Sequence, residues 1–203
     1  PAAPVPTREG YTFSGWNMDT PAAMPDNDLT ISGTFTINSY ILTVKYEYAD
    51  HSVAAPAYTE TVEYNARYDV TSPVIDGYTA SSAVVSGNMP AENKTVTVVY
   101  TPSEYPITVH YVYADGTTAA ADKTENVAYK DSYNVASPAI TGYTPDRAAV
   151  TGEMPASDHE ETVTYTVNKY TLTIHYVYSD KSEAKPDYVA EYDYNADYNV
   201  ASP

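Results

Sequence analysis

The sequence predicts a mainly β protein assembled from small tandem units, and three observations carry that expectation. A 65-residue segment recurs along the 203-residue chain. The opening stretch of every copy alternates apolar and polar residues with period two, and helical periodicity is nearly absent. YILTVKYEYAD from Tyr40 returns as YPITVHYVYAD from Tyr105 and YTLTIHYVYSD from Tyr170. Gly77-Tyr78-Thr79 returns as Gly142-Tyr143-Thr144, and Met89-Pro90 as Met154-Pro155. Residues 1–39 carry the second half of such a unit, with Gly10-Tyr11-Thr12 and Met24-Pro25. The expected organisation is a half-unit at 1–39, repeats at 40–104 and 105–169, and the first half of a third at 170–203. A chain opening on Pro1 is expected to be a piece of a longer protein.

Each element of a unit has its own justification. Leu42, Val44, Tyr46 and Tyr48 share one face of a strand, while Thr43, Lys45 and Glu47 share the other. Ile107, Val109, Tyr111, Tyr113 and then Leu172, Ile174, Tyr176, Tyr178 repeat the pattern. Asp115-Gly116 suits a tight turn with positive φ. Asp50-His51 and Asp180-Lys181 replace it elsewhere, so the hairpin loop is expected to vary in shape. A second strand is expected over Tyr58–Tyr64, with one helical turn at Asn65–Tyr68 and Lys130–Tyr133 before Pro73 and Pro138. A third strand falls near Ala83–Ser86 and a fourth over Thr95–Thr101. Tyr46, Tyr48, Tyr64 and Tyr100 keep phase with Val and Leu and are expected to pack inward. Short, partly stiff linkers such as Thr101-Pro102-Ser103-Glu104 make an elongated rod the expected shape.

Composition excludes several function classes. Ten Lys+Arg against 27 Asp+Glu give a net charge of −17, which opposes approach to nucleic acid or an anionic membrane. With no cysteine there is no disulfide, zinc knuckle or thiol nucleophile. No apolar run is long enough to cross a bilayer.

The pattern YxxTVxYxYADG, SPxIxGYT and MPxxDxxxTVTYTV resembles the MucBP (mucin-binding protein) repeat of Gram-positive surface proteins. Pro6–Trp16 (PTREGYTFSGW) with Met24–Thr30 (MPDNDLT) resembles the second half of a Listeria–Bacteroides or internalin-type B-repeat. The resemblance implies tandem β-grasp-like, ubiquitin-like units on a secreted or wall-anchored adhesin. Their implied role is to bind mucin or another glycoprotein, or to extend a distal domain as a stalk.

Catalytic and cofactor chemistry is not expected. His110 and His175 share a register position that Lys45 fills in the first copy, so they read as exposed strand residues. His51 is alone, and His159-Glu160-Glu161 lacks a second His at ligand spacing. Asp26-Asn27-Asp28 lacks the spacing of a calcium loop and reads as solvated charge. Lys45 and Lys169 do not recur as Lys in every copy, so an isopeptide cross-link is not expected.

Tyrosine is the outlier, with 23 residues against 2 Phe and 1 Trp. Its ring can stack on a sugar while its hydroxyl bonds, although most Tyr here read as core. The candidate ligand residues flank the hairpin: Tyr48, Tyr113 and Tyr178 at its base, and Tyr58 and Tyr188 at its far side. Trp16 reads as a packing anchor. The complementary half-units at 1–39 and 170–203 also raise end-to-end self-association, with a monomer as the simpler alternative.

Overall fold

The computed structural model describes residues 4–201, and among them every regular element is a strand. The chain divides into two compact units, Pro1–Pro102 and Ser103–Pro203.

The first unit opens with β1 (Tyr11–Trp16) and β2 (Gly33–Ile37), an antiparallel ribbon in which Phe13 opposes Phe35. A bulge at Gly15, with φ 111°, bends β1 so that Trp16 meets Phe13 edge-on at 5.0 Å. Trp16 is thus the packing residue the sequence suggested.

Next come β3 (Ser39–Tyr48), β4 (Val53–Glu63), β5 (Arg67–Thr71), β6 (Tyr78–Ala80), β7 (Val84–Asn88) and β8 (Lys94–Pro102). They form two layers. A mixed sheet runs in the order β4-β3-β8-β6, and the ribbon β5-β7 covers it. The central pair β3–β8 is parallel, from Leu42↔Lys94 to Tyr48↔Tyr100, as a β-grasp-like unit requires. Leu42, Val44 and Tyr46 from β3 meet Val98 and Tyr100 from β8 beneath Tyr68, Val70, Val85 and Met89.

The second unit repeats this plan. Its strands are β9 (Glu104–Tyr113), β10 (Thr118–Ala128), β11 (Ser132–Ala136), β12 (Tyr143–Pro145), β13 (Ala149–Glu153) and β14 (His159–Val167). The sheet order is β10-β9-β14-β12, with ribbon β11-β13 over it. A further hairpin comes last, β15 (Lys169–Val177) with β16 (Glu183–Asp193).

Three expectations need correction. The helical turns at Asn65–Tyr68 and Lys130–Tyr133 are instead the entries to β5 and β11. Asn65 (φ 60°) and Lys130 (φ 69°) turn the chain through the left-handed region, and the next residues pair with β7 and β13. The hairpin loop does not vary in shape. His51, Gly116 and Lys181 all have φ between 67° and 83° and close the same three-residue loop. In each, the backbone N–H of Tyr48, Tyr113 or Tyr178 donates to the carbonyl of Ser52, Thr117 or Ser182. Tyr64 also leaves the core face. It lies past the end of β4 against the preceding ribbon, where its ring meets Tyr11 at 6.1 Å.

That contact explains the GYT motif within each unit. The Tyr64 ring lies flush on Gly10 (φ 73°), and the Tyr194 ring lies flush on Gly142 (φ 80°). Asn38 and Asn168 donate backbone N–H groups to the carbonyls of Gly10 and Gly142. Their side-chain oxygens accept from Thr12 Oγ1 (2.6 Å) and Thr144 Oγ1 (2.5 Å). Glycine is required twice over, because a Cβ would strain the positive φ and also enter the ring. Gly142→Ala is therefore expected to increase opening of the 194–196 turn, read by hydrogen exchange, and to destabilise the unit by about 2 kcal/mol or more. Gly116→Ala, which has the same sign of φ but open space around it, isolates the backbone part of that loss.

Candidate functional site

The hairpin-base tyrosines end the first strand of each repeat, where period-two alternation places them on the core face beyond the fully buried ring of Tyr46 or Tyr111. Tyr48 is half-buried and packs on Tyr78, with centroids 4.7 Å apart at 49°. Tyr113 packs on Tyr143 in the same way, at 4.6 Å and 45°. Tyr178, in the final hairpin, is 61% exposed. Beside Tyr113 the surface dips into a cleft of about 230 Å³ lined by Tyr113, Ala114, Asp115, Tyr143, Tyr165 and Val167. The first unit has a cleft of about 280 Å³ lined by Pro73, Ile75, Tyr78 and Tyr100, without Tyr48.

Tyr58 and Tyr188 do not join this site. Tyr58 lies opposite Val44 and Tyr188 opposite Ile174, four residues before Tyr48 and Tyr178 on the paired strands. That separation is roughly 13 Å at about 3.3 Å per residue. Tyr58 donates its hydroxyl to Glu60 at 2.7 Å, a bond that raises its pKa, and the Tyr188 and Tyr192 hydroxyls bond each other at 2.9 Å. Lys123 fills the equivalent position in the second unit and pairs with Glu125 at 2.7 Å. The residues missed by sequence reasoning are Tyr78 and Tyr143. Their signal is present, since both come directly after a glycine at the same register, but the motif reads as turn punctuation rather than as a ring partner.

The floor of the cleft is rigid for an identifiable reason. Tyr165 is fully buried and donates its hydroxyl to the Pro138 carbonyl at 2.6 Å, and Tyr100 does the same to Pro73 at 2.5 Å. Burial raises the pKa of both phenols, so they remain neutral donors. The rim is anionic. Asp115 Oδ1 accepts from the side chain (2.6 Å) and the backbone N–H (2.9 Å) of Thr117, and these bonds hold its pKa below the usual carboxylate range. Asp50 with Ser52 and Asp180 with Ser182 are built alike.

The histidines make strand-surface pairs. His110 Nδ1 lies 2.9 Å from Asp122 and His175 Nδ1 2.9 Å from Asp187. His159 lies 3.2 Å from Glu161, which also accepts from Arg147 at 2.8 Å and has a pKa lowered chiefly by that bond. No cluster of three or more His, Asp or Glu among the described residues could hold a metal ion.

These features define a tandem all-β repeat with aromatic residues lining its surface clefts. The MucBP domain model matches residues 42–101 and 106–166, and the chain belongs to that family, a family of adhesin repeats rather than of enzymes. The chain is 27% identical over 187 residues to Internalin J of Listeria monocytogenes serotype 4b, covering 88% of this chain and 20% of that protein. It is 30% identical over 165 residues to Internalin I of the same strain, covering 71% of this chain and 9% of that protein. The chain therefore spans a fifth or less of these relatives. Among solved structures it is similar to the type 2 repeat of the mucus binding protein MUB from Lactobacillus reuteri. That match is 20% identical with TM-score 0.31, over 64% of this chain and all of the other. A MucBP domain from Lactobacillus acidophilus matches at 26% identity and TM-score 0.25, over 32% of this chain and 92% of the other.

The hairpin aspartates set a pH dependence. A carboxylate with a folded pKa below its unfolded value stabilises the fold at neutral pH and loses that contribution as pH falls through the folded value. The thermal midpoint is expected to drop between about pH 5 and pH 2, and Asp115→Asn, which keeps an acceptor but cannot protonate, flattens the second unit's share of that drop.

Proposed function

We propose that this chain is the repeat region of a cell-surface adhesin of a Gram-positive bacterium, displayed outside the cell, whose complete repeats bind neutral sugars of mucin-type glycoproteins. The observation that carries the reading is the Tyr113–Tyr143 ring pair beside Asp115 at the rim of the cleft. An aromatic face offers stacking area to a pyranose ring, and a fixed carboxylate accepts from sugar hydroxyls. At about 230 Å³ the cleft suits one sugar residue rather than an oligosaccharide, so single-site affinity is weak and tandem copies add through avidity. The net charge of −17 and the rim carboxylate favour neutral over sialylated termini. Family membership and the internalin relatives support the surface location.

A stalk role is the second reading, favoured by the packing of Tyr48 onto Tyr78, which gives that ring a structural task in the first unit. The two readings separate in one experiment. Tyr113→Ala is expected to lower retention on immobilised mucin about tenfold, while hydrogen exchange shows the second unit, which carries Tyr113, still folded. Retention equal to the unmodified chain overturns the sugar reading and leaves the stalk.

A further inference from the structure

The Gly142-Tyr143-Thr144 segment belongs to two structures at once. On one side the Tyr143 ring packs on Tyr113 at 4.6 Å and forms a wall of the cleft. On the other it receives the ring of Tyr194 edge-on, at 6.2 Å and 73°. Tyr194 lies one residue past the end of β16, in the hairpin that follows the repeat. Tyr64 meets Tyr11 in the same way, at 6.1 Å and 76°, so the contact is a property of the motif.

The Tyr143 ring depends on that neighbour. Tyr143 opens β12, a strand of three residues that among the described residues pairs with β14 alone. Its backbone is fixed by N–H donation to the Ile140 carbonyl at 3.1 Å and by its register opposite Val167. Neither contact fixes the half-buried side chain, whose position is set by the rings against it. Tyr194 is itself firmly held. Its backbone N–H donates to the Asn168 carbonyl at 2.8 Å, and Asn168 N–H donates to the Gly142 carbonyl at 2.8 Å. Its ring lies flush on Gly142 and also meets Tyr170 edge-on at 6.3 Å. Two cleft walls are chain neighbours of this clamp, since Tyr143 follows Gly142 and Val167 precedes Asn168.

We propose that Tyr194 is a positioning residue of the cleft, the ring by which the following hairpin holds Tyr143 against Tyr113 in the sugar-binding arrangement. The inference rests on the sugar reading of that cleft and adds a residue outside it that controls its shape. The binding unit is then the repeat together with the hairpin after it, rather than the matched segment 106–166 alone. A Tyr143 ring free to turn is out of position for part of the time, and the apparent affinity falls by that fraction. The coupling is reciprocal, so an occupied cleft also holds the Tyr194 turn closed on Gly142.

The test compares Tyr194→Ala with Tyr194→Phe in the full chain, by retention on immobilised mucin and by NMR of the Tyr113 ring protons. Tyr194→Phe keeps the ring and is expected to match the unmodified chain in both. Tyr194→Ala is expected to lower retention about fivefold and to move the Tyr113 ring signals. In a chain already carrying Tyr113→Ala, the same substitution is expected to lower retention by a smaller factor, because the pair it serves is gone. Unmoved Tyr113 signals, an equal loss in both backgrounds, or a Tyr194→Phe chain that behaves like Tyr194→Ala overturns the proposal. If the unmodified chain is not retained on mucin, the sugar reading falls. The Tyr113 signals then still decide whether Tyr194 positions the ring pair.

Discussion

One short hydrogen bond, common to both complete repeats, braces their two layers across the apolar core. Tyr100 and Tyr165 leave the central parallel strand, pass their rings through the core and end on the carbonyls of Pro73 and Pro138. A repeat this small buries little apolar surface, and a phenylalanine in the same place would leave the proline carbonyl without this donor. The ring also meets Tyr46 or Tyr111 edge-on at 6.4 Å, so the aromatic centre is a pair rather than a single side chain. Holding the Ser-Pro strap also holds the loop on its C-terminal side. Ser72 and Ser137 donate side-chain bonds to Ser82 and Arg147 carbonyls ten residues on, which pin the loop that carries Tyr78 and Tyr143. The cleft beside Tyr113 is therefore a consequence of how the core is braced.

The same economy governs the GYT motif. Its glycine admits a neighbouring tyrosine ring, its tyrosine meets that ring edge-on, and its threonine clamps the asparagine that ends the last strand. In the second unit Tyr143 stands between Tyr113 on one side and Tyr194 on the other. One residue thus links the candidate ligand surface to the turn of the final hairpin, and the packing of the hairpin bears on the shape of the cleft.

Much of this is legible in the residues. Period-two alternation marks β3, β9 and β15 because one face of each sees the core and the other sees water. The β5 and β11 strands are harder to read because they are five residues long, with only Tyr68 and Val70 or Tyr133 and Val135 alternating, and a short polar stretch leads into each. They are strands because Tyr68, Val70, Tyr133 and Val135 find buried positions over the sheet, which only the tertiary fold supplies. The hairpin loops look variable because His, Gly and Lys differ chemically, yet Asp50, Asp115 and Asp180 impose one shape through the same Asx bonds. The ligand candidates divide by position. Tyr48 and Tyr113 reach the ring-paired surface, while Tyr58 and Tyr188 do not, because strand register, not sequence proximity to a loop, sets their height on the sheet.

The tyrosine surplus is thus a solution to thinness, with the ring as core and the hydroxyl as brace, and the ring-paired cleft is its by-product. The most direct test is amide hydrogen exchange of Val163 and Tyr165 in the chain carrying Tyr165→Phe. The brace predicts that their opening free energy falls by about 0.5–1.5 kcal/mol, the usual net contribution of one hydrogen bond. Unchanged protection of those amides would contradict it.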